Sequence, residues 1–158
     1  MMKHKAAINR VGWCLFIIYI AVMAYFLFFS ERYGRTIGTG IYRYNLEPLK
    51  EIKRFIQYRQ LIGWESFIVN ILGNIFAFSP FGFFLPMLCR KTRHWFHITL
   101  LSFELSLCIE TLQLATKLGI FDVDDLIMNT IGGLVGYIIF AISYRLVRST
   151  AKGARRRG

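Results

Sequence analysis

Within Gly119–Gly133, GIFDVDDLIMNTIGG, three aspartates stand directly before an apolar run that has Asn129 inside it. Just upstream, Glu110, Gln113 and Lys117 recur at i, i+3 and i+7, which lines them along one stripe of a helix. Asp122, Asp125 and Asn129 repeat that spacing, and Asn70 and Asn74 are four apart on one helical face. Carboxylates grouped with carboxamides can do two kinds of chemistry. They can hold a ligand by charge and hydrogen bonds, or two carboxylates in unequal surroundings can act as acid and base. No serine or cysteine nucleophile stands with a positioned base, so no catalytic residue is assigned. No metal or other cofactor is implied. His94 and His97 have i, i+3 spacing without a further ligand nearby, and residues of a membrane interface explain them better than a metal.

Taken singly, each of these residues has a plainer role. An aspartate that caps a helix contributes about 1 kcal/mol, and the helix dipole favours negative charge there. An asparagine between membrane helices contributes about 0.6 kcal/mol as hydrogen-bonding glue. As a set that includes Glu110, they are read here as a site.

Such residues need elements to position them, and composition defines those elements. Of 158 residues, 55% are hydrophobic and 16% aromatic, while 18% are charged. A globular chain carries about a quarter charged residues. Four apolar blocks, Val11–Phe29, Phe67–Cys89, Trp95–Thr116 and Leu126–Val147, approach the roughly 20 residues of a membrane-spanning helix. The expected fold is an all-α integral membrane protein with four transmembrane helices, in a single domain over residues 1–158. Lys3, Lys5 and Arg10 precede the first block as they would in a signal peptide. Its apolar core is too long for one, however, and FLFFSERYG has no small-x-small cleavage site, so an uncleaved anchor is expected.

Basic residues set the orientation. The N-terminus, the Arg90–Arg93 loop and the tail from Arg145 are rich in Lys and Arg, which places both termini in the cytoplasm. Seven of the nine acids (Glu31, Glu47, Glu51, Glu65, Asp122, Asp124 and Asp125) fall on the other side. The net charge of +11 is then mainly a topology signal. The tail KGARRRG fits anionic lipid, and no nucleic acid partner is expected. Cys14, Cys89 and Cys108 lie in spans or at a cytoplasmic end, so no external disulfide framework is expected.

Depth then connects the spans. At 1.5 Å per residue, Asn70 and Asn74 lie about 5 and 10 Å below the outer end of span two. Gln113 and Glu110 lie about 5 and 9 Å below the outer end of span three, and Asn129 about 5–6 Å into span four. These side chains share one layer of the outer leaflet. A charged carboxylate at the helix centre costs about 2.5–3.5 kcal/mol, which turns Glu110 inward toward polar neighbours. Glu104 lies near mid-membrane, rotated about 120° from Glu110, and is left out of the site.

Three features predict local structure. Asn45 is a helix-cap candidate with Pro48 in a first turn, and Leu49, Ile52, Phe55 and Ile56 follow at helical spacing among Lys50, Lys53 and Arg54. This external amphipathic segment either lies on the membrane face or packs on the bundle as a lid. Pro80 and Pro86 are expected to kink or interrupt span two. Gly73 and Gly82 there, and the Gly132/Gly136 pair in span four, allow close helix approach.

The stretches NILGNIFAFSPFGFFLP (Asn70–Pro86) and IETLQLATKLGIFDVDDLIMNTIGGLVGY (Ile109–Tyr137) resemble the VanZ-like family of small bacterial membrane proteins. YNLEPL (Tyr44–Leu49) is similar to that family's short Asn-Leu-x-Pro element. The resemblance implies association with resistance to glycopeptide antibiotics, teicoplanin in particular, and carries no settled mechanism. Family members often have an arginine shortly before the aspartates. Here TKLGIF supplies only Lys117, a charge without the bidentate fork of arginine.

The function expected is that of a non-enzymatic cell-envelope factor in the bacterial cytoplasmic membrane. Its outer-leaflet polar site would engage membrane lipids, a lipid-linked cell-wall precursor among them. Two alternatives stand beside it. One is an intramembrane acid/base enzyme using Glu110 and an aspartate on an envelope lipid. The other is a small proton-linked transporter built on the kinked second span.

Overall fold

A computed structural model describes residues 2–29, 42–50, 53–54, 57–58 and 64–157, and the side chains of residues 7, 9–26, 42–50, 53–54, 57–58 and 71–150. Four long helices dominate: α1 (Met2–Phe29), α2 (Trp64–Leu88), α3 (Trp95–Thr116) and α4 (Val123–Arg157). Each contains a stretch long and apolar enough to cross a membrane, so the chain is a multi-pass membrane protein. Leu15, Ile17, Phe76, Leu112, Ile142 and Val147 are exposed along the helices, an arrangement that suits hydrocarbon as solvent. The first and last helices overrun their expected limits into basic flanks whose Ala, Lys and Arg residues are good helix formers. α4 also begins three residues earlier than the apolar block, at Val123, because Asp122 caps it.

The helices alternate in direction. A 3-10 turn, Arg90–Thr92, joins α2 to α3, and Arg93 fixes it against the bundle. Arg93 Nε donates to the Pro86 carbonyl at 3.0 Å, while its guanidinium sits 4.8 Å from the Tyr144 ring. Tyr137 Oη in turn donates to the Arg93 carbonyl at 3.1 Å. His94 caps α3, its Nδ1 accepting from Phe96 N at 3.3 Å. At the same end Gly12 of α1 meets the Leu88 side chain.

α2 and α4 pack backbone to backbone. A methyl group at Gly82 would overlap the Gly133 carbonyl, and one at Gly136 would overlap the Ser79 carbonyl. Ser79 Oγ donates to the Ile75 carbonyl at 2.8 Å and to the Gly132 carbonyl at 3.3 Å across that seam. α2 is one uninterrupted helix with both prolines inside it, where an interruption had been a possible outcome. The Pro86 carbonyl, among the last four that the end of α2 leaves without an intrahelical donor, is taken up by Arg93. α1 lies at the periphery. Its Met23 joins Phe78 and Ile109 in a small core, and Tyr19 Oη donates to the Ala77 carbonyl.

The opposite end of the bundle, formed by the end of α3 and the start of α4, is closed by a short parallel pairing. Strand β1 (Tyr44–Asn45) runs beside β2 (Phe121–Asp122), with Tyr44 opposite Phe121 and Asn45 opposite Asp122. The stretch from 42 to 49 therefore docks on the bundle, ahead of the expected amphipathic helix. Lys50, Lys53, Arg54, Gln57 and Tyr58 are helical and exposed. Ile52, Phe55 and Ile56 of the expected amphipathic face lie outside the described residues.

Candidate functional site

The site is built from the turn between α3 and α4. α3 ends where Lys117 adopts the left-handed region, at φ 57, and its N–H closes on the Leu114 carbonyl at 3.2 Å. Gly119 then passes directly over the Gln113 side chain, leaving Gln113 1% exposed. Glu110, one turn deeper, is 2% exposed. Its Oε2 accepts the backbone N–H of Asp122 at 2.9 Å, so a buried carboxylate fixes the entry to α4.

The three aspartates do three different jobs. Asp122 caps α4, its Oδ1 accepting from Asp124 N at 2.9 Å, and the same oxygen accepts from Asn45 Nδ2 at 3.1 Å. Asp124 is buried, and its Oδ1 accepts the backbone N–H of Leu49. That bond holds Leu49 at φ 61, a left-handed conformation that a leucine rarely adopts. Asp125 Oδ1 accepts from Asn74 Nδ2 at 2.5 Å and so ties α4 to α2. Asn129 lies deeper and bonds Ser106 Oγ at 2.9 Å. Beneath it, Ser102 is fully buried at the same α3–α4 contact.

Three helices therefore bring Asn74, Glu110, Gln113, Asp125 and Asn129 to one end, with Asp122 above them. Asn70 belongs to α2, and its side chain lies outside the described ones. Glu104 is exposed on α3 and stands apart from the cluster. One expectation is corrected. Asn45 does not cap a helix: it sits in β1, and its Oδ1 accepts from Glu47 N at 3.3 Å to close a short turn. Lys117, the one cation of TKLGIF, has its ammonium 4.7 Å over the Tyr42 ring.

Sequence spacing left out Asp124 and the residues of the docked segment. Above Asp122 a cavity of about 390 Å³ is lined by Tyr42, Arg43, Tyr44, Asn45, Lys50, Arg54, Ile120 and Asp122. Its cations come from a segment some seventy residues upstream, and the β1–β2 pairing, with the Asn45–Asp122 and Leu49–Asp124 bonds, carries them to the aspartates.

Burial at the mouth pushes the Asp122 carboxyl above its ordinary value of 3.8. Hydrogen bonds from Asp124 N and Asn45 oppose that rise, the Asp124 charge adds to it, and Lys50 opposes it. A raised value means that the folded state holds this proton more tightly than the unfolded chain. The stability linked to it is complete below 3.8 and is lost as pH rises through the folded value. Asp122→Asn keeps an acceptor oxygen and removes the titration. Melting followed in detergent from pH 4 upward should show wild type losing stability relative to this variant as pH rises, by a few degrees at most. Parallel profiles for the two proteins would refute the assignment.

A family model described as VanZ/LLP1 matches residues 16–144, from the buried Phe16 of α1 through most of α4. Comparison with curated proteins and with solved structures finds no match.

Proposed function

The chain belongs to the VanZ/LLP1 family, and from that membership and the mouth of the bundle we propose that it is a non-enzymatic cell-envelope factor contributing to resistance to glycopeptide antibiotics, teicoplanin in particular. In this proposal it resides in the bacterial cytoplasmic membrane. The charge asymmetry of the loops supports an outward-facing mouth. The ligand is an envelope lipid, with a lipid-linked cell-wall precursor as the preferred candidate.

The observation that carries this proposal is the convergence of carboxylates and carboxamides from three helices at one end of the bundle, directly beneath a cavity. Buried polar groups in a membrane bundle cost free energy and mark functional positions. A binding role is preferred to catalysis because Glu110, Asp122, Asp124 and Asp125 each accept a hydrogen bond that holds the mouth together. Acceptors fixed in this way are suited to presenting a rigid surface, and an acid/base pair would need one of them released.

Purified protein in zwitterionic nanodiscs, titrated with a lipid-linked disaccharide precursor, tests the proposal. Saturable binding is expected, weakened about tenfold in Asp125→Asn. No saturable binding by wild type would overturn it, and turnover of the lipid would move the assignment to the enzyme alternative.

A further inference from the structure

We propose that the cavity above Asp122 is an anion site for a phosphate- or pyrophosphate-bearing head group, contacted by Arg43, Lys50 and Arg54 and flanked by Tyr42 and Tyr44. This deepens the envelope-lipid proposal and rests on it in taking this end of the bundle to face the outer leaflet. Charge is the first argument. Three cationic side chains line the cavity with one carboxylate, Asp122, and Glu47 pairs with Lys50 at 4.0 Å, which leaves a formal excess of +1. Lys117, over the Tyr42 ring, adds a further cation beside it. Converging positive charge repels itself, and an anion in the cavity relieves that repulsion.

Size and shape narrow the class. About 390 Å³ falls within the range of small-molecule sites, roughly 300–1,000 Å³, and is much larger than a single inorganic ion needs. Tyr42 and Tyr44 are 59% and 66% exposed, so the ring surface beyond the Tyr42 face that Lys117 covers is open to a neutral part of the ligand such as a sugar. The guanidinium groups of Arg43 and Arg54 can each grip two phosphate oxygens, which a lysine cannot do. The cavity is also held in place from below. Asn45 of its lining bonds Asp122, and Phe121 N donates to the Arg43 carbonyl at 3.1 Å, so the segment that carries the cations is pinned to the start of α4. A lipid head group and a free phosphorylated sugar share this chemistry.

The test uses the full chain in zwitterionic nanodiscs. Soluble inorganic pyrophosphate and glucose 1-phosphate form one arm, and a polyprenyl pyrophosphate placed in the bilayer forms the other, each read by calorimetry or by phosphorus NMR. Saturable, salt-sensitive binding is expected in at least one arm. Binding in both identifies a general phosphate site, and binding confined to the second identifies a lipid head group. The double variant Arg43→Gln/Lys50→Gln should lose about tenfold to a hundredfold in affinity. The same charge change at the opposite end of the bundle, Arg90→Gln/Lys91→Gln, should leave affinity unchanged. Absence of saturable binding in both arms, or equal weakening by the two double variants, would overturn the assignment. Its failure is separable from that of the resistance proposal. Pyrophosphate binding in a protein that gives no antibiotic protection leaves the anion site standing alone. Protection by a protein that binds no phosphate removes the anion site alone.

Discussion

Gly136→Leu is expected to leave almost no folded protein in the membrane. At this position α4 approaches α2 so closely that an added side-chain carbon would overlap the Ser79 carbonyl and press on Phe83 N. Both neighbours are backbone, so neither can rotate away. Gly132, one turn earlier, meets the Ile75 backbone in the same way, and Gly82 meets Gly133 from the other side. A leucine therefore has to separate two helices along the whole seam, breaking the Ser79 bond to the Gly132 carbonyl. Overpacking a tight core costs about 1–3 kcal/mol, and a contact between two backbones belongs at or beyond the top of that range. Ile138→Leu, on the exposed face two residues away, is the control and should behave as wild type. Fluorescence size exclusion and thermal melting in detergent read both variants. A Gly136→Leu protein that melts within a few degrees of wild type would show that the seam is looser than described.

The second large effect is expected at Glu110. Its carboxylate accepts the Asp122 N–H in a buried setting, and Asp122 in turn holds Asn45 and the start of α4. Glu110→Ala leaves a donor without its acceptor, at a cost of about 1–3 kcal/mol, and frees the turn from its anchor. Because β1 is paired to that turn, the loss should spread to the docked segment. Amide hydrogen exchange is expected to rise at residues 119–124 and 43–49 together, while the α2–α4 seam keeps its protection. Glu110→Gln retains an acceptor oxygen and should exchange almost as wild type does. A rise restricted to the α3–α4 turn would mean that the β1–β2 pair stands without Glu110.

The bundle was legible because each span is an apolar block bounded by charge, and in hydrocarbon that pattern leaves few alternatives to helices. Depth counting was less exact. It put Asn74 about 10 Å below the outer end of α2 and Asp125 at the outer end of α4, yet the two are bonded. The close approach at Gly82 and Gly136 followed from glycine spacing alone.

The mouth was harder to read for identifiable reasons. A helical phase counted from Asp122 puts Asp125 and Asn129 on its stripe and leaves Asp124 off, but the helix starts one residue later, and Asp122 is its cap. Asp124, dismissed by that phase, is 3% exposed and clamps Leu49. A parallel pair of two residues each shows no alternation of polar and apolar side chains, so nothing in YNLEPL announced a strand. Without that pair Arg43 looks like a loop charge and Lys50 like the polar face of an amphipathic helix, and Lys117 looks like the only cation near the acids.

The most direct test of a working site at this mouth is the teicoplanin and vancomycin sensitivity of a susceptible Gram-positive host carrying wild type, Glu110→Gln or Asp125→Asn, with membrane levels matched by blot. Wild type should protect against teicoplanin, and both variants should lose most of that protection at equal protein level. Full protection by both variants would return these residues to capping and packing. No protection by wild type would contradict the resistance role itself.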